Sequence, residues 1–434
     1  MKKALHGLLT IIIVVLAGTL GYMVWQNIRT MDPNANATPT PDNWTPPPLV
    51  TPVPAPTPTP RQRAENAAVM TLGVVGDLVM HSGLNQEAMG PDGYAYGKIF
   101  GNLAPYFQEV DFAVATMETT LSAGPEYSGY PEFKTPDALA SYLRDAGFDL
   151  INTATDHAMD SYKGGAERTI SVLENAGLQH VGTYRSAAER NEQNGVVLAE
   201  VNGIKIAFLA YTLGTNGIPI DGFDHITNVF FTDYLTKQSE IDYDKIQADM
   251  EAANALEPDI IVTFMHWGNE YHTEPVAYQK ELADFLFDEG ADIIIGGHPH
   301  VPEPMEFRSV TDKYGREKTR LVAYSLGNFI SCQEAPYSNL TATLRIEIEK
   351  NLDTGEAYLT DIKYAPLFMV DLLREEYGVP EQDWRYRLWD LHAAIASYEA
   401  DGYDGYITPG LYEALTDGLD AIHAILGPGY DMFN

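Results

Sequence analysis

DIIVTFMHWGNEY, residues 259–271, and ADIIIGGHPHV, residues 291–301, decide how this chain is read. Each is an apolar, β-branched run, 260–264 and 293–295, that stops in small or polar residues followed by histidine. Runs this short, bounded by glycine, fit buried strands better than helices. The stretch between them, 276–289, carries helical spacing, so the unit reads strand–helix–strand. A buried strand ending in a Gly/His-rich loop sets imidazoles at the carboxyl end of a sheet, where α/β proteins place their sites. His266, His298 and His300 therefore ask for a metal or an acid–base role.

The same pattern recurs upstream. MTLGVVGDLVMH, from Met70, reads as a strand ending in Gly76-Asp77, and 110–122 as a strand ending in Glu118. Residues 148–160, FDLINTATDHAMD, give a third strand and a loop carrying Asp156 and His157. Helices are expected over 136–146, 163–176 (closed by Gly177) and 241–256, and a hairpin over 195–213 about Asn202-Gly203, the dipeptide a type I′ turn prefers. Residues 214–236 read as a loop or lid. Strands follow over 305–310 and 320–329, a last hairpin over 340–349 and 357–370, and helices over 384–399 and 411–426. Early strands alternating with helices, and later hairpins, predict one α/β domain with a mixed sheet or two packed sheets.

Seven polar residues thus sit at strand ends in five loops: Asp77, Glu118, Asp156, His157, His266, His298 and His300. One aspartate after a strand is ordinarily a cap or turn residue, and one histidine a hydrogen-bonded structural group. Seven together are harder to dismiss. Carboxylates mixed with imidazoles suit Mn, Fe or Zn, and two such ions about 3.5–4 Å apart clamp a tetrahedral transition state. Asp160 reads as a cap for the following helix. His81, His180, His225, His272, His392 and His423 read as background.

The amino terminus differs from the rest. Lys2 and Lys3 precede Leu5 to Trp25, a run without Asp, Glu, Lys or Arg and about the roughly 20 residues a bilayer span needs. With Tyr22 and Trp25 at the far interface, residues 1–31 read as a cytoplasmic stub and uncleaved signal anchor, with the bulk of the chain outside the cell; cleavage after 16–21 is the rival. Residues 32–66 alternate proline and threonine and read as an extended spacer. The single cysteine, Cys332, excludes an internal disulfide and a CxxC zinc knuckle. A net charge of −34 argues against a nucleic-acid partner. It does not forbid an anionic substrate, since bound cations invert a local field.

Gly76-Asp77, ATMET around Glu118, TATDHAMD around His157, HWGNEY from His266, GGHPHV around His298 and His300, and YSLGNF around Asn328 resemble, in order and spacing, the CapA family of capsule poly-γ-glutamate synthesis proteins. That family is similar to the calcineurin-type metallophosphoesterases. The resemblance implies a layered α/β sandwich over 67–370, helices flanking two packed mixed β-sheets, with a C-terminal helical extension over 371–434. It implies metal ligation by Asp77, Glu118, Asp156, His266, His298 and His300, a catalytic His157 near the leaving group, and two divalent ions. Glu270, Tyr271 and Asn328 then become substrate-binding candidates, although Asn328 also reads as a turn or supporting residue. The family's Asn-His pair falls on Asp156-His157; the aspartate keeps an oxygen ligand and adds a negative charge. Where the phosphoesterase relatives carry a histidine two residues after the first aspartate, this chain has Val79.

Three readings follow: an anchored extracellular protein that acts on or helps export an anionic polymer such as poly-γ-glutamate, a phosphoesterase with a cell-surface substrate, and a non-catalytic subunit of a membrane-bound polymer-synthesis complex.

Overall fold

The computed structural model describes residues 64–434 apart from 102, 193, 381, 383, 404 and 405. The anchor expected over 1–31 and nearly all of the spacer lie outside these residues. Among the described residues no helix is long and apolar enough to cross a membrane.

The strand at the start of the domain, β1 (Ala67–Val79), shows why its sequence is apolar throughout rather than alternating. Leu72 and Val74 point to one side and Val75 to the other, and both sides are buried. Such double burial is what a strand covered on both faces requires. Beside β1 lie β2 (Phe112–Glu118), β3 (Leu150–Asn152) and β4 (Gln179–Val181), each parallel to its neighbour.

A second sheet is built around the opening stretch. The hairpin of β5 (Val197–Val201) and β6 (Ile204–Thr212) turns on Asn202 and Gly203, both at positive φ (52° and 80°), as a type I′ turn demands. Next come β7 (Ile260–His266) and β8 (Ile293–Gly297), parallel to β6. The antiparallel pair β9 (Pro302–Thr311) and β10 (Glu317–Leu326) completes this sheet, which runs β9-β10-β8-β7-β6-β5.

The chain then returns to the first sheet. Gly327, at φ 75°, breaks the strand expected over 320–329, and β11 (Asn328–Ile330) crosses over to pair with β1, setting Asn328 opposite Asp77. The long hairpin of β12 (Leu340–Asn351) and β13 (Ala357–Asp371) lies on the other side of β1, followed by β14 (Tyr386–Asp390). The first sheet thus runs β14-β13-β12-β1-β2-β3-β4.

The two sheets pack face to face. Ile260, Val262 and Phe264 of β7 meet Leu72 and Val74 of β1 in one core, and Phe112 stacks on Phe208 across it at 5.4 Å. The opposite side of β7, Ile261 and Met265, meets helices α3 (Tyr243–Ala255) and α4 (Ala277–Asp288). In α3 the contact comes from Ile246, Met250 and Ala253, spaced i, i+4, i+7 along one face. On the outer side of the first sheet lie α1 (Ala138–Ala146) and α2 (Tyr162–Asn175). The expected layered sandwich, two packed mixed sheets between helices, is what the chain forms.

The helix expected over 384–399 is half a strand. Tyr386 and Leu388 turn inward from β14 and pair with Asp371 and Met369, and helix α5 (Leu391–Asp401) begins only after them. Asp390 marks the switch, its carboxylate accepting from Ala393 N at 2.7 Å as the N-cap. The last helix, α6 (Pro409–Leu426), starts at the N-cap Thr408, whose Oγ1 accepts from Leu411 N at 3.1 Å. Its Leu411, Leu415, Ile422 and Leu426 enter the inter-sheet core.

Candidate metal centre

The carboxyl ends of both sheets open onto one buried cluster. Asp77 is placed by two glycine approaches. A Cβ on Gly76 would lie 1.9 Å from Gly327 O, the carbonyl that accepts from Asp77 N at 3.0 Å. A Cβ on Gly297 would lie 2.4 Å from Asp77 Oδ1. With glycine there, the backbone N–H of His298 comes within 2.8 Å of Asp77 Oδ2 and donates to it.

Glu118, the last residue of β2, is fully buried, and neither carboxylate oxygen has a hydrogen-bond partner. The Nε2 atoms of His157, His266 and His300 each lie 3.8 Å from it. Asp156 Oδ1 lies 2.9 Å from His266 Nε2, and its Oδ2 lies 3.9 Å from His298 Nδ1. Asp156 is the least enclosed of the group, its side chain 16% exposed, and so marks the solvent side. Three overlapping trios result, each with its ligand atoms within 4.8 Å of one another: Asp156, His266 and His298; Asp77, Glu118 and His300; and Glu118, Asp156 and His157.

The charges explain why such a cluster needs a cation. Burial, and the Asp156 charge beside it, push Asp77 up to about 7 despite the His298 N–H. Burial, then Asp156 and Asp77, push Glu118 well above the usual carboxylate range. Burial drives His298 down and His300 well below the imidazole range. Burial would also raise Asp156, but His157, His266 and His298 outweigh it and hold it well below. Desolvated carboxylates at this density repel one another unless a positive charge stands between them. The unpartnered atoms Asp77 Oδ1, Glu118 Oε1 and Oε2, and Nδ1 of His298 are those a divalent metal would take. The residues present fit that group.

The backbone also carries strain here. His298 and His300 adopt φ of 90° and 60°, values costly for residues with a Cβ, of order 1–3 kcal/mol each. Left-handed turns on both sides of Pro299 aim both rings into the cluster.

Residues 71–333, more than half of the chain, match the family model described as "Bacterial capsule synthesis protein PGA_cap". The chain belongs to this family. It is 29% identical over 299 residues to the PGA biosynthesis protein CapA of Bacillus subtilis (strain 168), covering 68% of this chain and 71% of that one. It is 27% identical over 288 residues to the capsule biosynthesis protein CapA of Bacillus anthracis, covering 65% and 64%. Among solved structures, a novel phosphatase from Mycoplasma pneumoniae aligns at TM-score 0.39 and 12% identity, over 69% of this chain and 93% of that one. TT1561 of Thermus thermophilus aligns at TM-score 0.32 and 11% identity, over 67% and 98%. Likenesses of this size carry no argument about chemistry.

Within this family member, the remaining candidates take different places. His157 stands beside the cluster on a 3₁₀ turn, Asp156–Met159, its ring edge-on to Phe133 at 4.5 Å. Its Nδ1 lies 2.7 Å from Asp160 Oδ2. Asp160, read from the sequence as a cap, instead orients this imidazole; it also accepts from Phe133 N at 2.5 Å and from Asn216 Nδ2 at 3.1 Å. Asn216 comes from the 214–236 loop and has no sequence signature. The i, i+3 spacing of His157 and Asp160 is the one clue that could have flagged the pair.

Glu270 is half-buried near Asp156, His157 and His298, and burial raises its pKa. Tyr271 packs on the His300 ring at 5.9 Å, its backbone N–H donating to Pro299 O at 2.7 Å. Asn328, a substrate-binding candidate in the sequence, is fully enclosed. Its Oδ1 lies 3.0 Å from His300 Nδ1, and its Nδ2 donates to Gln333 Oε1 and Ser338 O. It holds His300 rather than facing a ligand. His81 forms part of none of the metal-ligand groups; it is buried behind Phe133, its ring 5.1 Å away.

Proposed function

We propose that the chain is a metal-dependent hydrolase of capsule-polymer production, anchored by its N-terminal apolar run. Its domain works outside the cell on an anionic polymer such as poly-γ-glutamate, beside other membrane-bound synthesis subunits. The observation that carries this reading is the buried cluster of unpartnered carboxylate and imidazole atoms, with one oriented histidine at its edge. Two divalent ions, Mn, Fe or Zn, fit the trios Asp156, His266, His298 and Asp77, Glu118, His300. When bound, such ions supply Lewis acidity and lower the pKa of a coordinated water.

The chain's own groups do the rest. Asp160 accepts from His157 Nδ1, which fixes the ring and leaves Nε2 turned to the cluster, 3.8 Å from Glu118 and 4.0 Å from Asp156. Burial would lower the His157 pKa, but Asp156 and Asp160 outweigh it and raise it to about 9. The Asp160 carboxylate on Nδ1 favours the protonated ring, and that ring is the group placed to deliver a proton from Nε2 to the leaving group. Asp156 and Glu270 line the entrance. Their charge would repel an anionic substrate, so substrate entry depends on the cations.

The test is metal analysis of the purified full chain together with cleavage of poly-γ-glutamate. Stoichiometric metal is expected, and His298→Ala should lower the metal count and abolish cleavage. Full activity in metal-free protein would overturn the reading. Turnover of phosphomonoesters or diesters with the polymer untouched would move the substrate to a surface phosphate ester. Unchanged polymer output in cells carrying His157→Ala would move the function to assembly.

A further inference from the structure

Three titratable side chains converge away from the cluster just described. His392 is the second residue of α5, His423 lies in the last turn of α6, and Asp431 follows the turn Pro428–Tyr430. His392 Nε2 lies 2.6 Å from Asp431 Oδ2, and His423 Nε2 lies 2.7 Å from the same oxygen. The other oxygen, Oδ1, is occupied by Phe433 N at 2.9 Å. The carboxylate is fully enclosed, while the two imidazoles keep 25% and 19% of their side-chain surface.

Two imidazole nitrogens and one carboxylate oxygen, all within 4.8 Å, from three separate segments, form a ligand set of the kind that binds zinc and its neighbours. The enclosed carboxylate fixes one side of the set, and the partly exposed rings leave room for water to complete the coordination. Asn434 adds a further polar group. Its amide lies 3.4 Å from His423 Nε2, and its oxygen and nitrogen exchange by a flip.

We infer that His392, His423 and Asp431 form a second divalent-metal site, structural rather than catalytic, that takes zinc. Its place in the fold gives it a task. Asp431 pairs with Tyr364 of β13, and Met432 N donates to Tyr364 O at 2.9 Å. An ion there ties the end of the chain to both helices α5 and α6 over that sheet.

Two hydrogen bonds to one oxygen are the competing account, and glutamine separates the two. A glutamine at 423 keeps an N–H donor for Asp431 but is a poor zinc ligand. The experiment uses the full chain carrying His298→Ala and His300→Ala, one ligand from each trio that spans the sheets, which disables the first site, and measures bound zinc by calorimetric titration and elemental analysis. One equivalent should remain. Adding His423→Gln or His392→Gln should abolish that equivalent while the zinc-free melting temperature changes little. Zinc at about 100 times its Kd should raise the melting temperature by about 5 °C in the chain with both alanines, and not when either glutamine is added. An unchanged zinc count in both glutamine variants, or no zinc retained by the chain with both alanines, would overturn the inference. Because the first site is disabled throughout, failure here leaves the hydrolase reading standing, and the reverse holds too.

Discussion

Asp160 Oδ2 lies 2.7 Å from His157 Nδ1, so the imidazole beside the metal cluster is held by a buried carboxylate one turn along the chain. Asp160→Asn keeps the shape but weakens the grip on the protonated ring. Turnover is expected to fall by about 10²–10⁴-fold, the range a positioned proton donor supplies. Metal content should stay at the wild-type level, which separates this variant from loss of a ligand. Elemental analysis beside the kinetic assay checks both.

Asp156 places a carboxylate on the solvent side of the cluster, its Oδ1 2.9 Å from His266 Nε2. Asp156→Asn keeps an oxygen ligand and removes one negative charge. Metal affinity should drop about 10-fold or more, equivalent to ~1.4 kcal/mol. Competition with a chelator of known strength would measure it; equal affinity in the two chains would mean that Asp156 does not ligate.

Gly297→Ala puts a methyl group 2.4 Å from Asp77 Oδ1. Asp77 must move, taking its bond to His298 N with it. The expected result is loss of metal at a stability cost of about 1–3 kcal/mol, as overpacking gives. A denaturant melt and a metal count on one preparation settle it.

The strand ends that carry the site were legible because each apolar run stops at a glycine, carboxylate or histidine, as in 293–300. The layered fold was legible for the same reason: both faces of β7 are apolar. Tyr386–Asp390 was not, because Trp384, Leu388 and Leu391 satisfy helical spacing as well as Tyr386 and Leu388 satisfy alternation. Pairing with β13 decided between them, and pairing is a long-range property. The role of Asp160 was hidden because local sequence cannot tell a cap from the partner of a histidine three residues back. His392 and His423 looked like background because their shared partner, Asp431, lies beyond the helices that carry them.

Leu415 is fully buried in the inter-sheet core. Leu415→Ala should cost about 2–5 kcal/mol, the range for a core leucine. A cost under about 1 kcal/mol would mean that α6 is an appendage to the sandwich.

Glu303 gives a pH signature remote from the proposed chemistry. It is fully buried, with Oε2 bonded to Gln279 Nε2 at 2.9 Å, and burial raises its pKa from 4.5 to about 8. Between these values the folded chain keeps a proton that the unfolded chain has released. Its contribution to stability is therefore full below about pH 4.5 and declines as pH rises to about 8. The slope is at most ~1.4 kcal/mol per pH unit. Glu303→Gln should flatten that part of the profile, measured by denaturant unfolding from about pH 5 to 8.

Two of the trios in the cluster draw on both sheets. Asp156, from the β3 loop of the first sheet, needs His266 and His298 from the second; His300, from the second, needs Asp77 and Glu118 from the first. A chain with only one half folded completes neither of these two, although Glu118, Asp156 and His157 lie together on the first sheet alone. On the proposed metal reading, capture acts as a proofreading step on assembly: ions at both of these trios load in a molecule whose halves have docked in register, and loading latches the halves together. Chelation should accordingly lower the melting temperature of the wild type and leave that of a chain carrying His298→Ala, His300→Ala and His423→Gln almost unmoved.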